Sequence, residues 1–340
     1  MKKCAAGINR SLWPSDSQLL TLLGDAGGYG EKAFNAYFEQ LTAIRGDDVI
    51  HLRSIIGSDL CYGRSFVHKD RCVIDALTQA IRPQHGRILN IVNIGAGHGI
   101  TEMFLVREFK GVPIDITAVE INENLVKHLE NVAELAENME SNTNIFPMHG
   151  DIVKGVKLDF DADALLSLNV LHFVEPQNWP AFFVNCASIM RPYARLFLSV
   201  SAPSSSYNKY PTAAPYQNNK KLGKKWPGHF VRFDFNYDGS KRGVAYAPYD
   251  RCGQGKKLGQ SLKVEGYQLP AEIKQHKVTS IAIPCLVFDR DDFQAKLQEF
   301  AARFFNIENV FGMTAEGAKT ENEKEIASIG AILKKRSIAK

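Results

Sequence analysis

Three glycines at every second position, Gly95, Gly97 and Gly99, close an apolar run from Ile88 to Ile94 and open a periodic segment from Ile100 to Phe109. An apolar run, a glycine-rich break and a helical period in that order read as strand, tight loop and helix. Glycine takes φ > 0 without steric cost and lets a ligand come close to the backbone. A second apolar run, Ile114 to Val119, ends in Glu120. A carboxylate at the tip of the second strand can accept both hydroxyls of a ribose. The loop and the acid together imply a site for an adenosine-type cofactor on an α/β fold.

Which cofactor depends on the spacing. The nicotinamide fingerprint G-x-G-x-x-G sets its third glycine inside the helix. Counted from Gly95, that position is Ile100, and the glycines run G-x-G-x-G instead. Further along, Met148-His-Gly-Asp-Ile152 places Asp151 just after a third strand. Ala164 to Phe173 is a fourth apolar strand that runs through Asn169 into a short turn with His172. This series resembles the class I S-adenosylmethionine-dependent methyltransferase family. The resemblance covers residues 85–202 well and 286–335 more loosely.

That resemblance implies roles. Gly95, Ala96, Gly97 and Gly99 would pass the methionine and ribose of S-adenosyl-L-methionine, and Glu120, with Ile121 beside it, would hold the ribose hydroxyls. Gly150, Asp151 and Ile152 would lie by the adenine, and Asn169 under the methionine, facing the acceptor. The family usually carries Asp or Glu two residues before the first glycine; here Asn93 keeps an acceptor and loses the charge. Strand four ends in Ser-Leu-Asn-Val rather than the D/N-P-P-Y/F motif that marks transfer to exocyclic base or side-chain amides. Adenine N6 and glutamine acceptors are therefore disfavoured. His172 is the candidate base, because a near-neutral pKa suits removal of a proton from a hydroxyl or protonated amine. His98 inside the loop faces solvent or the cofactor carboxylate in this reading. Tyr29, Tyr62 and Arg64 are candidates for closing over the site, since aromatic faces attract a sulfonium and Arg a carboxylate. Local alternatives stay open. Asp151 can be an Asx turn, Asn169 a strand terminator and His172 a helix-start residue.

The strand and helix pattern supports a Rossmann-like, mostly parallel seven-stranded sheet with helices on both faces. Residues 1–84 read as an N-terminal helical cap with Lys69–Ile81 as its last helix. Residues 85–202 and 284–340 read as the cofactor domain, and 203–283 as an insertion after strand five. Strands are expected at 88–94, 114–120, 144–149, 163–169, 195–201, 307–313 and 326–335, the last two forming a hairpin at one sheet edge. Helices are expected at 99–109, 123–139, 177–190 and 289–305. The insertion shows no helical period, and Phe230–Tyr237 alternates like one strand of a small antiparallel excursion.

Charge singles out that insertion. The chain is +4 overall, yet from Tyr207 to Lys263 twelve Lys or Arg face three Asp, a net of +9, leaving about −5 elsewhere. Aromatic residues such as Tyr216, Trp226, Phe230 and Phe235 are interleaved. Such a lobe can hold an anionic acceptor, a nucleic acid or an acidic protein surface, or bury its aromatics in a core of its own. The six cysteines are scattered without a C-x-x-C pair, so buried thiols in a reducing cytoplasm are expected and a metal site is not. No apolar run approaches the ~20 residues that span a bilayer. The residues thus point to a cytoplasmic S-adenosylmethionine-dependent methyltransferase acting on a polar or anionic acceptor. The alternatives are a non-catalytic protein of that fold that grips a partner through the insertion, and a nicotinamide-dependent oxidoreductase.

Overall fold

The computed structural model describes residues 71–81, 87–97, 99, 101–102, 105–106, 109, 112–138, 142–203, 212–237, 241–248, 283–314 and 318–337. The expectations for the cap before residue 71, with Tyr29, Tyr62 and Arg64, and for His98 fall outside these residues.

The central sheet forms around strands buried on both faces. β1 (Leu89–Ile94), β2 (Ile114–Glu120) and β4 (Ala162–Leu168) read as near-continuous apolar runs and pair in parallel, as strands covered by helices on both sides must. β3 (Thr143–His149) alternates buried and exposed positions and lies at the sheet edge, where Pro147 leaves no central ladder short of a donor. The order is β10 (Lys319–Thr320), β9 (Phe305–Met313), β11 (Ser328–Lys335), β5 (Met190–Ser201), β4, β1, β2, β3. The chain runs outward from β1 through β2 to β3, then returns to lay β4 on the other side of β1. The switch point therefore lies between β1 and β4, whose carboxyl ends are the Gly95 loop and Asn169.

The expectation of seven mostly parallel strands is corrected. The sheet has eight strands, and β5, β11, β9 and β10 are joined by antiparallel ladders. The eighth strand, β10 (Lys319–Thr320), is two residues long and pairs with Gly312 and Met313. A strand that short has no period to read. β9 (Phe305–Met313) and β11 (Ser328–Lys335) form the expected hairpin, with β11 inserted beside β5. β5 (Met190–Ser201) starts five residues before the expected Arg195. Its first residues, Arg191, Pro192 and Tyr193, break the apolar pattern. A register shift against β4 and a left-handed Tyr193 (φ 66°) carry the strand through them.

Helices cover both faces. α1 (Arg71–Ala80) buries Val73, Ile74 and Leu77 on one stripe. Gly330 of β11 makes room for it: a Cβ there would stand 2.9 Å from Val73 and 2.7 Å from the Phe311 ring. α2 (Glu123–Asn138) lays Leu125, Leu129 and Val132 against the sheet. α3 (Trp179–Ser188) follows a 3-10 turn, Pro176–Asn178, which takes up the start of the helix expected from 177. It buries Trp179, whose ring meets those of Phe183, Trp226, Phe288, Phe293 and Phe300.

Within the region after β5, the structure describes a helix, α4 (Ala213–Lys221), and a three-stranded antiparallel sheet of β7 (Lys241–Pro248), β6 (His229–Tyr237) and β8 (Ile283–Leu286). The absence of a helical period there is corrected by α4, whose polar composition carries almost no amphipathic signal (Gln217, Asn218, Asn219, Lys220). α4 and the loop after it dock on α5 (Arg290–Phe300), which Asp289 caps by accepting from the Asp292 amide at 2.8 Å. The buried Tyr216 hydroxyl donates to Asp292 and accepts from the Asp289 amide at 3.1 Å. Lys220 pairs with Asp289 at 2.7 Å and Lys225 with Glu299 at 3.0 Å. Trp226 stacks on Phe300 under Lys296, whose ammonium lies 4.6 Å from the ring centre. These aromatics and lysines of the insertion are thus engaged in its own attachment. α5 ends at Phe300, short of the expected 305, because the chain turns at Ala301 to enter β9.

Candidate functional site

The loop after β1 is built on left-handed backbone. Gly95, Gly97 and Gly99 have φ of 70°, 58° and 75°, a conformation that costs an L-residue with a Cβ roughly 1–2 kcal/mol. Their surroundings differ. A Cβ on Gly95 would stand 2.3 Å from Val170, so the β1 and β4 loops touch here. A Cβ on Gly99 would meet Leu129 and Val132 of α2 at 2.9–3.0 Å. At Gly97 no atom of the described residues lies within 4 Å, so among them this turn of the loop faces open space. Two glycines therefore allow protein to pack close, and the third leaves room for something else.

Glu120 ties the loop to β2. Its carboxylate accepts from the Gly97 amide at 2.9 Å and from the Asn122 amide at 3.0 Å. An ionised carboxylate offers about four acceptor sites, so two remain for hydroxyls. Beside it Ile121 is 61% exposed, unusual for an isoleucine at a strand end and suited to lie against a flat apolar ring. Gly150 donates to the Glu120 carbonyl at 3.0 Å, which brings the end of β3 to the same rim. There Asp151 accepts from the Val153 amide at 2.9 Å, the Asx turn that the sequence left open, and its other oxygen lies 3.6 Å from Lys154. Ile152 points away into the core.

Under the loop lies a pair that the sequence did not announce. Asn93, on β1, donates to Glu102 at 2.6 Å, and both side chains are buried. Burial pushes the Glu102 carboxyl up to about 7; the Asn93 bond opposes this, and the like charge of Glu120 adds to it. The Asn93 Oδ1 and Glu102 Oε2 atoms have no hydrogen-bond partner among the described residues. A glutamate in the first turn of a helical pattern ordinarily reads as solvated, and nothing local in the sequence announces its burial.

On the β4 side, Asn169 closes the strand in the left-handed region (φ 56°), which Asn tolerates better than most residues, with its amide donating to Ser199. His172 lies in the 3-10 turn Leu171–Phe173, 3% exposed, edge-on to Phe173 with ring centres 4.0 Å apart. β8 lies against this turn, and the first residue of β6, His229, stands with Nε2 3.4 Å from the Glu175 carboxylate. This second imidazole, with an acid beside it, joins residues far apart in the chain and carries no local motif. At the opposite, amino end of the strands Asp163 is buried, accepts from the Asn90 amide at 2.9 Å, and pairs with Arg87 at 2.6 Å and with Arg191. It braces the sheet far from the glycine loop.

No family model matches the chain, and no curated protein does. Among solved structures the chain is similar to S-adenosylmethionine-dependent methyltransferases. One, from Clostridium acetobutylicum, is 9% identical with a TM-score of 0.46, over 80% of this chain and 92% of that one. Another, from Methanosarcina mazei, is 14% identical with a TM-score of 0.45, over 77% of this chain and 98% of that one. The glycopeptide N-methyltransferase MtfA, complexed with S-adenosylhomocysteine, is 12% identical with a TM-score of 0.43, over 77% of this chain and 88% of that one. The order of the strands and the loops at their carboxyl ends have the Rossmann-like arrangement that the resemblance to class I methyltransferases implies.

Proposed function

We propose that this chain is an S-adenosyl-L-methionine-dependent methyltransferase acting on a polar or anionic acceptor. The observation that carries this reading is Gly97: a left-handed glycine at the switch point, with open space beside it among the described residues, and its amide tied to a strand-end carboxylate, a group with more acceptor sites than the two amides use. The residues fit the cofactor in parts. Glu120 would take the ribose hydroxyls, Ile121 would lie against the adenine, and Asp151 with Gly150 would border its edge. Asn93, Gly95, Ala96, Gly97 and Gly99 would follow the methionine and ribose, with Asn169 beneath the methionine.

The cofactor supplies an activated methyl group on a sulfonium. The chain's own task is then to align the acceptor, exclude water and take up a proton where the acceptor has one to lose. Alignment alone can supply about 7–11 kcal/mol and a positioned base about 3–5 kcal/mol. The base we assign is an imidazole of the wall formed by the β4 turn and β8. His172 is on that wall but buried; His229 is partly exposed and has the Glu175 carboxylate 3.4 Å from its Nε2. The net +9 of residues 207–263 favours an anionic acceptor, reduced by the lysines already paired within the fold.

Calorimetric titration with S-adenosylmethionine and S-adenosylhomocysteine tests the cofactor reading, with NADH and the Glu120→Ala variant as controls. Micromolar binding that is lost in Glu120→Ala supports it. Silence toward both methyl-cofactor forms in folded protein overturns it. A response to NADH instead would select the oxidoreductase.

A further inference from the structure

The Asn93–Glu102 pair lies directly beneath the loop to which the cofactor reading assigns the methionine end. Asn93 occupies β1 two residues before Gly95, where the resemblance to class I methyltransferases implies an acid, and it carries no charge. Its amide instead reaches a carboxyl on the following helix at 2.6 Å. Both residues are sealed from solvent, at 2% and 0% exposure, so neither is a surface acid that happens to lean inward. Each keeps one oxygen without a partner among the described residues. Leaving buried acceptors unmatched is costly, and such atoms tend to mark strain, a proton or a missing ligand. The charged group that acts on Glu102 from a neighbouring element is Glu120 on β2, whose like charge discourages ionisation further. Within the described residues no Lys or Arg pairs with Glu102 to counter it. A cation arriving at the loop would supply a counter-charge that Glu102 does not have among the described residues.

We propose that Glu102 is the acid of this cofactor site: it holds on the helix the negative charge that β1 gave up at Asn93, and it ionises as the cationic cofactor binds. This rests on the cofactor reading above. Glu102 is a positioning residue; it acts through Asn93 and through its field and touches no ligand. On binding, the O–H bond of the Glu102 carboxyl would break, its proton would pass to the buffer, and the carboxylate would keep the electron pair as the counter-charge to the cationic cofactor. Burial raises the Glu102 carboxyl to about 7, so in the ligand-free protein it is mostly the neutral acid below that pH.

The test is proton release, read by calorimetry at pH 6.5 in two buffers of different ionisation enthalpy, with S-adenosylmethionine and with adenosine as probes. The expected result is release approaching one proton per S-adenosylmethionine, none with adenosine, and a Kd that tightens by at most tenfold per unit of rising pH and levels off above pH 7. Glu102→Gln should abolish the release and flatten the profile. The ligand's own amino group titrates alike in both proteins and cancels in the comparison. The exchanged variant Asn93→Asp with Glu102→Gln returns the charge to β1 and should recover the affinity; it also serves if the single variant folds poorly. Binding of S-adenosylmethionine with no proton release, or a Glu102→Gln profile that still follows that of the wild type, overturns this inference while leaving the cofactor reading intact. No binding of either probe overturns the cofactor reading itself.

Discussion

Removing the Glu120 carboxylate should loosen the protein before any ligand is added. It accepts two backbone N–H groups, from Gly97 at 2.9 Å and Asn122 at 3.0 Å, at a residue that is 7% exposed. Hydrogen bonds to a charged group contribute about 1.5–3 kcal/mol each. The Gly97 amide lies at a partly exposed turn and can rehydrate when its partner goes, so the lower end of each range applies. Removing the like charge also relieves the pressure on Glu102, which offsets part of the loss. Glu120→Ala is therefore expected to cost about 2–3 kcal/mol of unfolding free energy, and Glu120→Gln, which keeps one acceptor, about 1–2 kcal/mol. Urea unfolding without ligand reads this as a lower midpoint at an unchanged slope. A second titration, with adenosine, should show weaker binding in both variants, since the ribose partner is gone. A Glu120→Ala protein as stable as the wild type, within about 0.5 kcal/mol, would refute the view that this carboxylate holds the loop. Its loss of ligand binding could then be assigned to direct contact alone.

The loop glycines should separate folding from binding: Gly99→Ala drives a Cβ into Leu129 and Val132 and should cost about 1–3 kcal/mol in a thermal or urea melt, whereas Gly97→Ala should cost about 1 kcal/mol yet abolish cofactor binding. Asp163→Asn strands two arginines at the amino end of the strands and should cost about 3–4 kcal/mol by urea unfolding, with the affinity of the remaining folded protein for cofactor unchanged. Glu102 gives stability a pH dependence of defined sign. Its folded value of about 7 lies above the ordinary 4.5, so between those values the native state holds a proton that the unfolded chain has lost. Its contribution is fully present below pH 4.5 and is lost as pH rises through 7, a fall on the order of 3 kcal/mol between pH 4.5 and pH 8 that Glu102→Gln should remove from paired urea titrations.

What was legible in the chain was what local conformation demands. A left-handed backbone calls for glycine wherever it occurs, so Gly95, Gly97 and Gly99 announce their loop without any knowledge of the neighbours. Doubly buried strands need continuous apolar runs, and β1, β2 and β4 supply them. Glu120 is readable because it ends such a run. Where pairing is set by distant packing, the signal is absent. β10 is a strand only because β9 passes beside it, and the first turns of β5 hold only through a register shift against β4. α4 is fixed by Tyr216 and Lys220 reaching Asp289 and Asp292, not by a period of its own.

The same reasoning explains why the chemistry was half seen. Asn93 could be read as a missing charge only because the family that the chain resembles usually carries an acid at that position. Glu102 could not be read as its replacement. Charge on a helix is ordinarily solvated, and this carboxyl is buried together with its neighbours Thr101, Leu105 and Val106. A buried acid with an unmatched oxygen is hard to explain as a stabilising device, because an apolar residue there would avoid the desolvation. Its presence next to the one strand position that lacks the expected acid is more economically explained by a single requirement met in a different place. Moving that charge from β1 to the helix, where burial raises its pKa toward neutrality, makes it conditional on the ligand. An acid on β1 with an ordinary pKa would be ionised whether or not a cation is bound; on the proposal, Glu102, raised to about 7, holds a proton at pH 6.5 until the cation arrives, and that difference is what the proton count measures.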